Sequence, residues 1–301
     1  MRILVTGCRG QLGHDVVCEL AKRNHEAIGT DIEEMDITDP ASVREFISRT
    51  GPDAVIHCAA WTAVDAAEEP ENRDKVFAVN ATGTKNIADV CQSLGIKLLY
   101  ISTDYVFDGE GSKPWEPDCI DYRPLNVYGQ SKLLGEQAVA RLDRFFIVRI
   151  AWVFGRNGSN FIRTMLKVGK THDKLRVVND QIGTPTYTFD LARLLVDMIE
   201  TDRYGYYHAT NEGGYISWYD FAREIFSQAE KLGYSDYSQE RLTLESVSTS
   251  EYGLSKARRP FNSRLDKSKL AEAGFEPLPD WKDALHRYLT DNQDLLFPSE
   301  K

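Results

Sequence analysis

The chain has few cysteines, and their placement argues against the structural roles that cysteines often serve. The five cysteines are odd in number, scattered and free of any CxxC pair: Cys8, Cys18, Cys58, Cys91 and Cys119. This pattern is typical of reduced thiols in a cytosolic protein and argues against both a disulfide framework and a zinc site. Clustered metal ligands of other kinds are missing too, so we expect no metal site.

Long apolar runs and an excess of positive charge are also missing. No apolar stretch approaches the roughly 20 residues that a membrane span needs. Met1-Arg2 leads straight into a short strand, so we expect no signal peptide. The formal net charge is −10, which disfavours nucleic acid and anionic membranes as general partners. We therefore expect a cytoplasmic protein that binds neither.

What the chain does contain is a regular alternation of short apolar runs and helical patterns. Apolar residues make up 42% of the 301 residues, which is ample for a sizeable core. The runs that predict buried strands lie at 2–6, 27–30, 53–57, 97–101 and 145–150. Alternating βα units of this length predict an α/β fold of the Rossmann type, with a doubly wound parallel sheet.

The turn after the first strand carries a glycine pattern that predicts a dinucleotide site. Gly7 permits a tight turn, Gly10 lets the backbone approach a pyrophosphate, and Gly13 lets the following helix lie against the strand. Gln11 and Leu12 open that helix, whose free N–H groups point to the phosphates. The spacing is GxxGxxG, which differs from the GxGxxG of many dehydrogenases.

Further along the chain, several residues are candidates for contact with the same cofactor. Asp31 ends the second strand about 20 residues beyond the glycines, where a carboxylate accepts from the ribose hydroxyls of NAD(H). Arg9 in the turn can instead meet a 2′-phosphate, so NADP(H) stays an alternative. Asp36 can reach an adenine amino group, and Ile37 can pack on the ring. Small residues after the third strand leave room for a cofactor, although close helix packing explains them equally well: Ala59, Ala60 and Thr62.

Tyr128 and Lys132 form the candidate catalytic pair. Four residues apart on a helix, the phenol and the ammonium stand on one face. We expect the ammonium to lower the pKa of the phenol, which makes the tyrosine a usable acid and base at neutral pH. An isolated YxxxK is more often a surface pair. Thr103, a hydroxyl at the carboxyl end of the fourth strand, gives this one a context.

Together these features resemble the extended short-chain dehydrogenase/reductase family over roughly the first 150 residues. Longer strings resemble one subgroup, the dTDP-4-dehydrorhamnose reductases, along nearly the whole chain. They lie at residues 102–109, 126–132, 151–155, 160–161 and 179–186. We divide the chain accordingly into an NAD(P)-binding Rossmann domain (1–150) and a mainly substrate-binding lobe (151–301). Some segments of the smaller, intertwined lobe are expected to return to the sheet.

The resemblance implies a reaction in which NAD(P)H reduces the C4 ketone of dTDP-4-dehydro-L-rhamnose. Tyr128 would protonate the alkoxide, Lys132 would hold the nicotinamide ribose, and Thr103 would hydrogen-bond the same oxygen. The implied substrate contacts are Thr103, Asp104, Trp152, Asn160, Arg163 and Gln181. Related dehydratases carry an acid where this chain has Tyr105, and reductase-epimerases need an extra Cys/His pair. Simple ketone reduction is therefore favoured.

Two alternative functions stay open, and so does the role of a basic segment. The chain can be another nucleotide-sugar reductase or epimerase, or a catalytically silent, NADP-binding regulatory subunit. The basic run at 256–260 is either a solvated face, which is the commoner case, or a contact with the substrate diphosphate. We expect a small-molecule nucleotide sugar as the substrate and a homodimer as the assembly.

Overall fold

The computed structural model describes residues 1–297, whose centre is a parallel β-sheet. The strands of the described chain are β1 (Arg2–Thr6), β2 (Glu26–Thr30), β3 (Ala54–His57), β4 (Lys97–Thr103), β5 (Phe145–Ile150), β6 (Val153–Phe154), β7 (Lys174–Val178), β8 (Ile182–Gly183), β9 (Thr186–Tyr187), β10 (Gly205–His208), β11 (Ile216–Ser217) and β12 (Thr243–Val247). Six of them form the central sheet in the order β10-β5-β4-β3-β1-β2, and every neighbouring pair is parallel. The predicted Rossmann-type sheet is thus confirmed.

Helices cover both faces of this sheet and form much of the second half of the chain. They are α1 (Gln11–Lys22), α2 (Pro40–Thr50), α3 (Val64–Ala67), α4 (Pro70–Phe77), α5 (Thr84–Leu94), α6 (Val127–Val139), α7 (Phe161–Gly169), α8 (Thr188–Ile199), α9 (Trp218–Lys231), α10 (Thr249–Tyr252), α11 (Ser268–Glu272), α12 (Trp281–Asp291) and α13 (Gln293–Leu296). Within residues 1–297, none of them combines the length and the apolar character that a membrane crossing requires.

Alternation along the buried strands builds one apolar core on each face of the sheet. In β1, Ile3 and Val5 face the core that α1 and α8 share, whereas Leu4 faces the core that includes residues of α2 and α5. All seven residues of β4 are buried, as expected for a central strand covered on both faces. The order of strands reverses between β1 and β3, and in open α/β sheets ligands bind at such a point, outside the carboxyl ends of the strands.

The second half of the chain returns once to this sheet and otherwise forms a smaller layer. β10 pairs with β5, while β11·β8, β12·β7 and β6·β9 are separate two-stranded sheets. A third core joins α7, α9 and α12 through large aromatic side chains, among them Phe221 and Trp281. In this layer α8 runs from Thr188 to Ile199, and Ser217 caps α9 through a capping box with Asp220.

The helical region between β3 and β4 is divided into several pieces. Between α4 and α5 lies a π-helical turn, Ala78–Gly83, that contains Asn80. The Asn80 amide accepts from Trp61 N–H (2.8 Å) and donates to Ser131 Oγ of α6 (3.0 Å). A π-helical turn changes the direction in which its side chains point. Here it lets Asn80 connect the loop after β3 to α6, the helix that carries Tyr128.

Candidate active site

A cavity of about 1210 Å³ lies across the carboxyl ends of the sheet strands. All of the predicted site residues except Arg163 line it. We name the two halves of this cleft after the ligands that the sequence analysis expects there. The cofactor half comprises the glycine turn, the Asp31 edge and the small residues after β3. The sugar half comprises Trp152, Gln181, Trp218 and the loop that holds Arg259.

The glycine turn has the shape that a pyrophosphate requires. Gly7 has a φ of 66°, and a Cβ there would lie 2.8 Å from Ala59 N and Cα. A Cβ on Gly13 would overlap the carbonyl oxygen of Gly7, so α1 approaches the turn as closely as a helix can. Gly10 caps α1 without any side-chain hydrogen bond, which leaves the first N–H groups of the helix free for an anion. A dinucleotide therefore fits this half of the cleft.

The ribose edge of the cleft is acidic. Asp31 accepts from the backbone N–H groups of Arg9 (3.2 Å) and Ile32 (3.0 Å), which fixes its carboxylate beside the turn. The Arg9 guanidinium pairs with Glu33 and Glu34. Arg9, expected as a candidate for a 2′-phosphate, is therefore already neutralised by its neighbours.

Asp36 and Ile37, the residues expected around the adenine, line the same cavity. Asp36 accepts from the Thr38 N–H (2.9 Å) and hydroxyl (2.7 Å), so one of its oxygens serves the local turn. Ile37 also lines the cavity and is 9% exposed. The cavity is also lined by Ala59, Ala60 and Thr62, where larger side chains would take up part of its space.

Thr103 and Tyr128 meet at the junction of the two halves. Thr103 ends β4, accepts from Tyr105 N–H (3.3 Å) and donates to Asp104 Oδ1 (3.1 Å). Asn126 caps α6 by accepting from Gly129 N–H (2.8 Å), which sets the first turn that carries Tyr128. The Thr103 hydroxyl lies near enough to the Tyr128 phenol to lower its pKa, although burial outweighs that effect.

The expected effect of Lys132 on Tyr128 is wrong for this structure. Burial raises the pKa of Tyr128 above its ordinary value, and Asp104 and Tyr105 raise it further. The Lys132 amine instead donates to the carbonyl of Ile101 (2.8 Å) and lies 4.1 Å from the ring centre of Tyr100. The phenol therefore stays protonated at neutral pH.

Lys132 is itself strongly perturbed. Burial lowers its pKa to about 7, and the nearby carboxylate of Glu136 only partly offsets that effect. Glu136 is committed to a fully buried ion pair with Arg149 (2.8 Å), so it cannot turn to Lys132. A buried amine at the edge of a cofactor cleft is a good donor to a ribose hydroxyl.

Trp152 lines the cleft, and another aromatic side chain covers one face of its indole. Its indole stacks on Trp218, with ring centres 3.8 Å apart and planes at 16°. On Gly183 a Cβ would lie 2.9 Å from Trp152 Cε2, so the indole also lies against that backbone. Trp152 holds a φ of 52°, rare for a bulky residue.

The other residues expected to contact the substrate differ in their placement. Asn160 caps α7 and donates to Gly155 O (3.0 Å) and Gln11 Oε1 (3.1 Å), which joins the two halves of the cleft. Gln181 is buried and donates to Thr249 Oγ1 (3.0 Å). Arg163 points behind the cavity wall, where it donates to the carbonyl of Gly158 (2.6 Å). Direct ligand contact by Arg163 is therefore not what the geometry favours.

The basic run at 256–260 is paired with acidic side chains. Lys256 pairs with Glu69, Arg258 with Glu110 (3.3 Å) and Arg259 with Asp65 (2.6 Å). Of these three cations only Arg259 lines the cavity. The run thus fastens a loop of the second half to α3 and its neighbours.

Several cavity residues were not expected from the sequence: Phe161, Met165, Arg176, Trp218, Tyr252 and Ser255. They come from α7, β7, α9, α10 and the loop after α10, which the chain brings together only through long-range packing. A Trp directly after a capping Ser gives no local signal of a ligand site. The sequence offered no pattern that would have found them.

Fold and cleft together define a Rossmann-type, nucleotide-binding α/β protein of the short-chain dehydrogenase/reductase class. Within that class, the chain belongs to the family described as "RmlD substrate binding domain", which matches residues 1–294. It is 40% identical to a dTDP-4-dehydrorhamnose reductase of Streptomyces griseus, over 94% of this chain and 91% of that protein. It is 37% identical to a dTDP-4-keto-6-deoxy-D-glucose reductase of Streptomyces niveus, over 94% and 95% of the two chains.

Solved structures give the same result. The dTDP-4-dehydrorhamnose reductase of Clostridium acetobutylicum superposes with a TM-score of 0.89 at 40% identity, covering 97% of this chain and all of that one. The Bacillus anthracis dTDP-4-dehydrorhamnose reductase, solved in complex with NADP, gives 0.88 at 38% identity, over 96% and 99% of the chains. Nearly the whole described chain, including its second half, therefore shares the architecture of these reductases.

Proposed function

We propose that this chain reduces the C4 ketone of dTDP-4-dehydro-L-rhamnose to the alcohol, giving dTDP-L-rhamnose, with NADH or NADPH as the reductant. The observation that carries the proposal is the meeting of Thr103 and Tyr128 at the junction of the cofactor half and the sugar half. A ketone placed at that junction has a proton donor on one side and a nicotinamide site on the other. The named relatives support the choice of reaction and sugar.

The residues of the cofactor half would hold the dinucleotide. Gly7, Gly10 and Gly13 leave room for the pyrophosphate, and the N–H groups of Gln11 and Leu12 face it. Asp31 would accept from the adenosine ribose, and Lys132 would donate to the nicotinamide ribose. When bound, the reduced nicotinamide supplies a hydride.

The proton comes from the chain itself. Because burial raises its pKa, Tyr128 is a phenol at neutral pH and holds the proton that the developing alkoxide needs. The alkoxide is far more basic than the phenolate, so the O–H bond of Tyr128 breaks as that of the product forms. Thr103 Oγ, directed at the same oxygen, would stabilise its charge. The ketone gains a hydride and a proton, the cofactor loses the hydride, and solvent restores the phenol.

A second candidate is reduction of a closely related 4-keto sugar. The similarity to a dTDP-4-keto-6-deoxy-D-glucose reductase favours it. The residues that meet the ketone would be the same, since the two sugars share the C4 ketone. The choice between them lies in the sugar half of the cleft.

Three further expectations accompany this function. We propose that residues 1–150 mainly bind the dinucleotide and residues 151–301 mainly bind the nucleotide sugar, with β10 contributing to the sheet. We also propose a cytoplasmic location, supported by unpaired, scattered cysteines. The assembly we propose is a homodimer, which light scattering coupled to size-exclusion chromatography tests.

The test mixes the purified protein with NADH or NADPH and each 4-keto sugar, and follows the absorbance of the reduced nicotinamide. Oxidation with dTDP-4-dehydro-L-rhamnose, at a higher kcat/KM than with dTDP-4-keto-6-deoxy-D-glucose, is expected. The reverse preference would establish the second candidate. If neither NADH nor NADPH were oxidised with either sugar, the reductase assignment would be wrong. The remaining hypothesis would then be a regulatory subunit that binds the cofactor.

A further inference from the structure

Residues 155–160 connect β6 to α7 and reach across to the glycine turn; we call this segment the strap. The Asn157 amide donates to the carbonyl of Arg9 (3.4 Å), and the Gln11 amide donates to the carbonyl of Ser159 (3.4 Å). Arg9 and Gln11 stand on either side of the glycine that the pyrophosphate is expected to approach. The strap therefore borders the predicted anion site, although it belongs to the second half of the chain.

The end of the strap forms part of the cavity wall. Ser159 and Asn160 line the same cavity as the glycine turn. The Asn160 amide donates to Gln11 Oε1 (3.1 Å), and a Cβ on Gly158 would lie 3.6 Å from Gln11 Cγ, an ordinary van der Waals contact. The strap thus holds both ends of the Gln11 amide at the first turn of α1. A wall in this position limits the access of water to the free N–H groups of the helix, which strengthens their attraction for an anion.

The contacts between the strap and the glycine turn are too weak to fix the strap by themselves. Two of the three hydrogen bonds are 3.4 Å long, which is near the limit for such a bond. Neutral hydrogen bonds of this length contribute little to the position of a loop. The strap must therefore be held by contacts within the second half of the chain.

Arg163 supplies those contacts from the first turn of α7. Its guanidinium donates to the carbonyls of Gly158 (2.6 Å) and Arg156, both within the strap. Nε of the same group donates to the Tyr288 hydroxyl of α12 (3.3 Å), and Asn160 accepts from the Arg163 backbone N–H (3.1 Å). Because the guanidinium is planar and rigid, these contacts fix two carbonyls of the strap relative to α7 and α12.

We infer that Arg163 is a positioning residue that holds the strap against the glycine turn and so keeps the dinucleotide bound. Arg163 acts on the cofactor through the strap and does not touch the sugar. This inference rests on the dinucleotide binding in the proposed function. Because substitutions at a binding surface act mainly on dissociation, loss of Arg163 should appear as faster release of the cofactor.

Arg241 makes the same kind of contact at the other end of α7, outside the cavity. Its guanidinium donates to the carbonyls of Gly169 (2.9 Å), Asp236 (2.8 Å) and Lys170 (2.8 Å). Gly169 is the last residue of α7. Arg241→Ala therefore removes a comparable set of arginine–carbonyl hydrogen bonds from the same helix without touching the strap. It is the matched control for a loss of stability alone.

The decisive experiment measures the binding of NADH and NADPH without any sugar, by nicotinamide fluorescence at equilibrium and by stopped-flow displacement. In Arg163→Ala we expect cofactor Kd to rise about tenfold, the scale of one hydrogen bond to a charged group, mainly through faster dissociation. Arg163→Lys should raise Kd nearly as much, because a compact ammonium on a flexible stem does not fix two carbonyls. Asn157→Ala, which removes the contact with Arg9, should raise Kd about twofold. Arg241→Ala should keep the wild-type Kd even if its Tm falls.

The outcomes separate the possible roles of Arg163. Wild-type Kd in both Arg163→Ala and Asn157→Ala would overturn the inference, and so would wild-type Kd in Arg163→Lys, since charge and not position would then matter. An equal rise of Kd in Arg241→Ala would reduce Arg163 to a general stabilising residue. A higher sugar KM in Arg163→Ala with unchanged cofactor Kd would show contact with the sugar instead.

The same measurements distinguish this inference from the proposed function. If the wild-type chain binds cofactor but reduces neither sugar, the proposed function is wrong, and the Kd values of the variants still decide the role of Arg163. If the wild-type chain binds neither NADH nor NADPH, both are wrong.

Discussion

The cofactor half of the cleft comes from neighbours in the sequence, whereas the sugar half gathers residues from four distant segments. Gly7, Gly10 and Gly13 lie within seven residues of one another, and Asp31 ends the next strand. Trp152, Gly183, Trp218 and Arg259 span more than a third of the chain. The cofactor half depends on the shape of the backbone at the glycine turn. The sugar half depends on long-range packing, and we propose that it determines the choice of substrate.

Removal of the Tyr128 hydroxyl should have the largest effect, because it acts where the two halves meet. In Tyr128→Phe we expect kcat to fall about 1,000-fold, within the range for loss of a general acid, with cofactor Kd nearly unchanged. Single-turnover kinetics and nicotinamide fluorescence measure the two quantities. Tyr204→Phe, outside the cavity, is the matched control. Normal turnover in Tyr128→Phe would show that another group protonates the alkoxide.

The glycine turn should be intolerant of a single methyl group. In Gly13→Ala the Cβ overlaps the carbonyl oxygen of Gly7, so α1 must move away. We expect cofactor Kd to rise roughly 30-fold, as overpacking costs about 2 kcal/mol. Gly51→Ala, whose Cβ meets nothing within 4 Å but whose φ is 55°, should lower stability with no change in Kd. Equal cofactor affinity in both variants would refute the close approach at Gly13.

A substitution in the sugar half should change the binding of the sugar and leave the binding of the cofactor unchanged. In Trp218→Ala the indole of Trp152 loses its stacking partner, and we expect the KM of the sugar to rise about tenfold, the scale of one aromatic pair. Cofactor Kd should stay the same. Phe189→Ala, which removes an exposed aromatic ring outside the cavity, serves as control. If both sugar KM and cofactor Kd changed together, the two halves would not be separate binding surfaces.

The smallest effect concerns cofactor choice. With Asp31 fixed beside the turn and Arg9 paired to Glu33 and Glu34, we expect tighter binding of NADH than of NADPH. The double variant Glu33→Gln/Glu34→Gln frees Arg9 for a 2′-phosphate and should improve NADPH relative to NADH by about fivefold, the limit for exposed pairs. Glu45→Gln, in an exposed pair with Arg49, is the control. A wild-type preference for NADPH would contradict this assignment.

The sequence predicted the sheet and the cofactor half because both depend on local signals. Strand runs, the Asp39 and Ser217 caps and the glycine spacing each act within a few residues. The pKa of Tyr128 was predicted with the wrong sign because burial, which spacing along a helix does not reveal, outweighs the charge of a lysine four residues away. Trp152 stacks on Trp218, which lies 66 positions further along the chain, and no local sequence pattern predicts this contact.

The most direct test of the central claim follows the hydride itself. The wild-type chain is supplied with reduced cofactor carrying deuterium at the transferable position of the nicotinamide C4, and with dTDP-4-dehydro-L-rhamnose. Mass spectrometry and NMR of the product should find one deuterium, bound to C4 of the sugar. Product without deuterium at C4, or no product at all, would contradict the account.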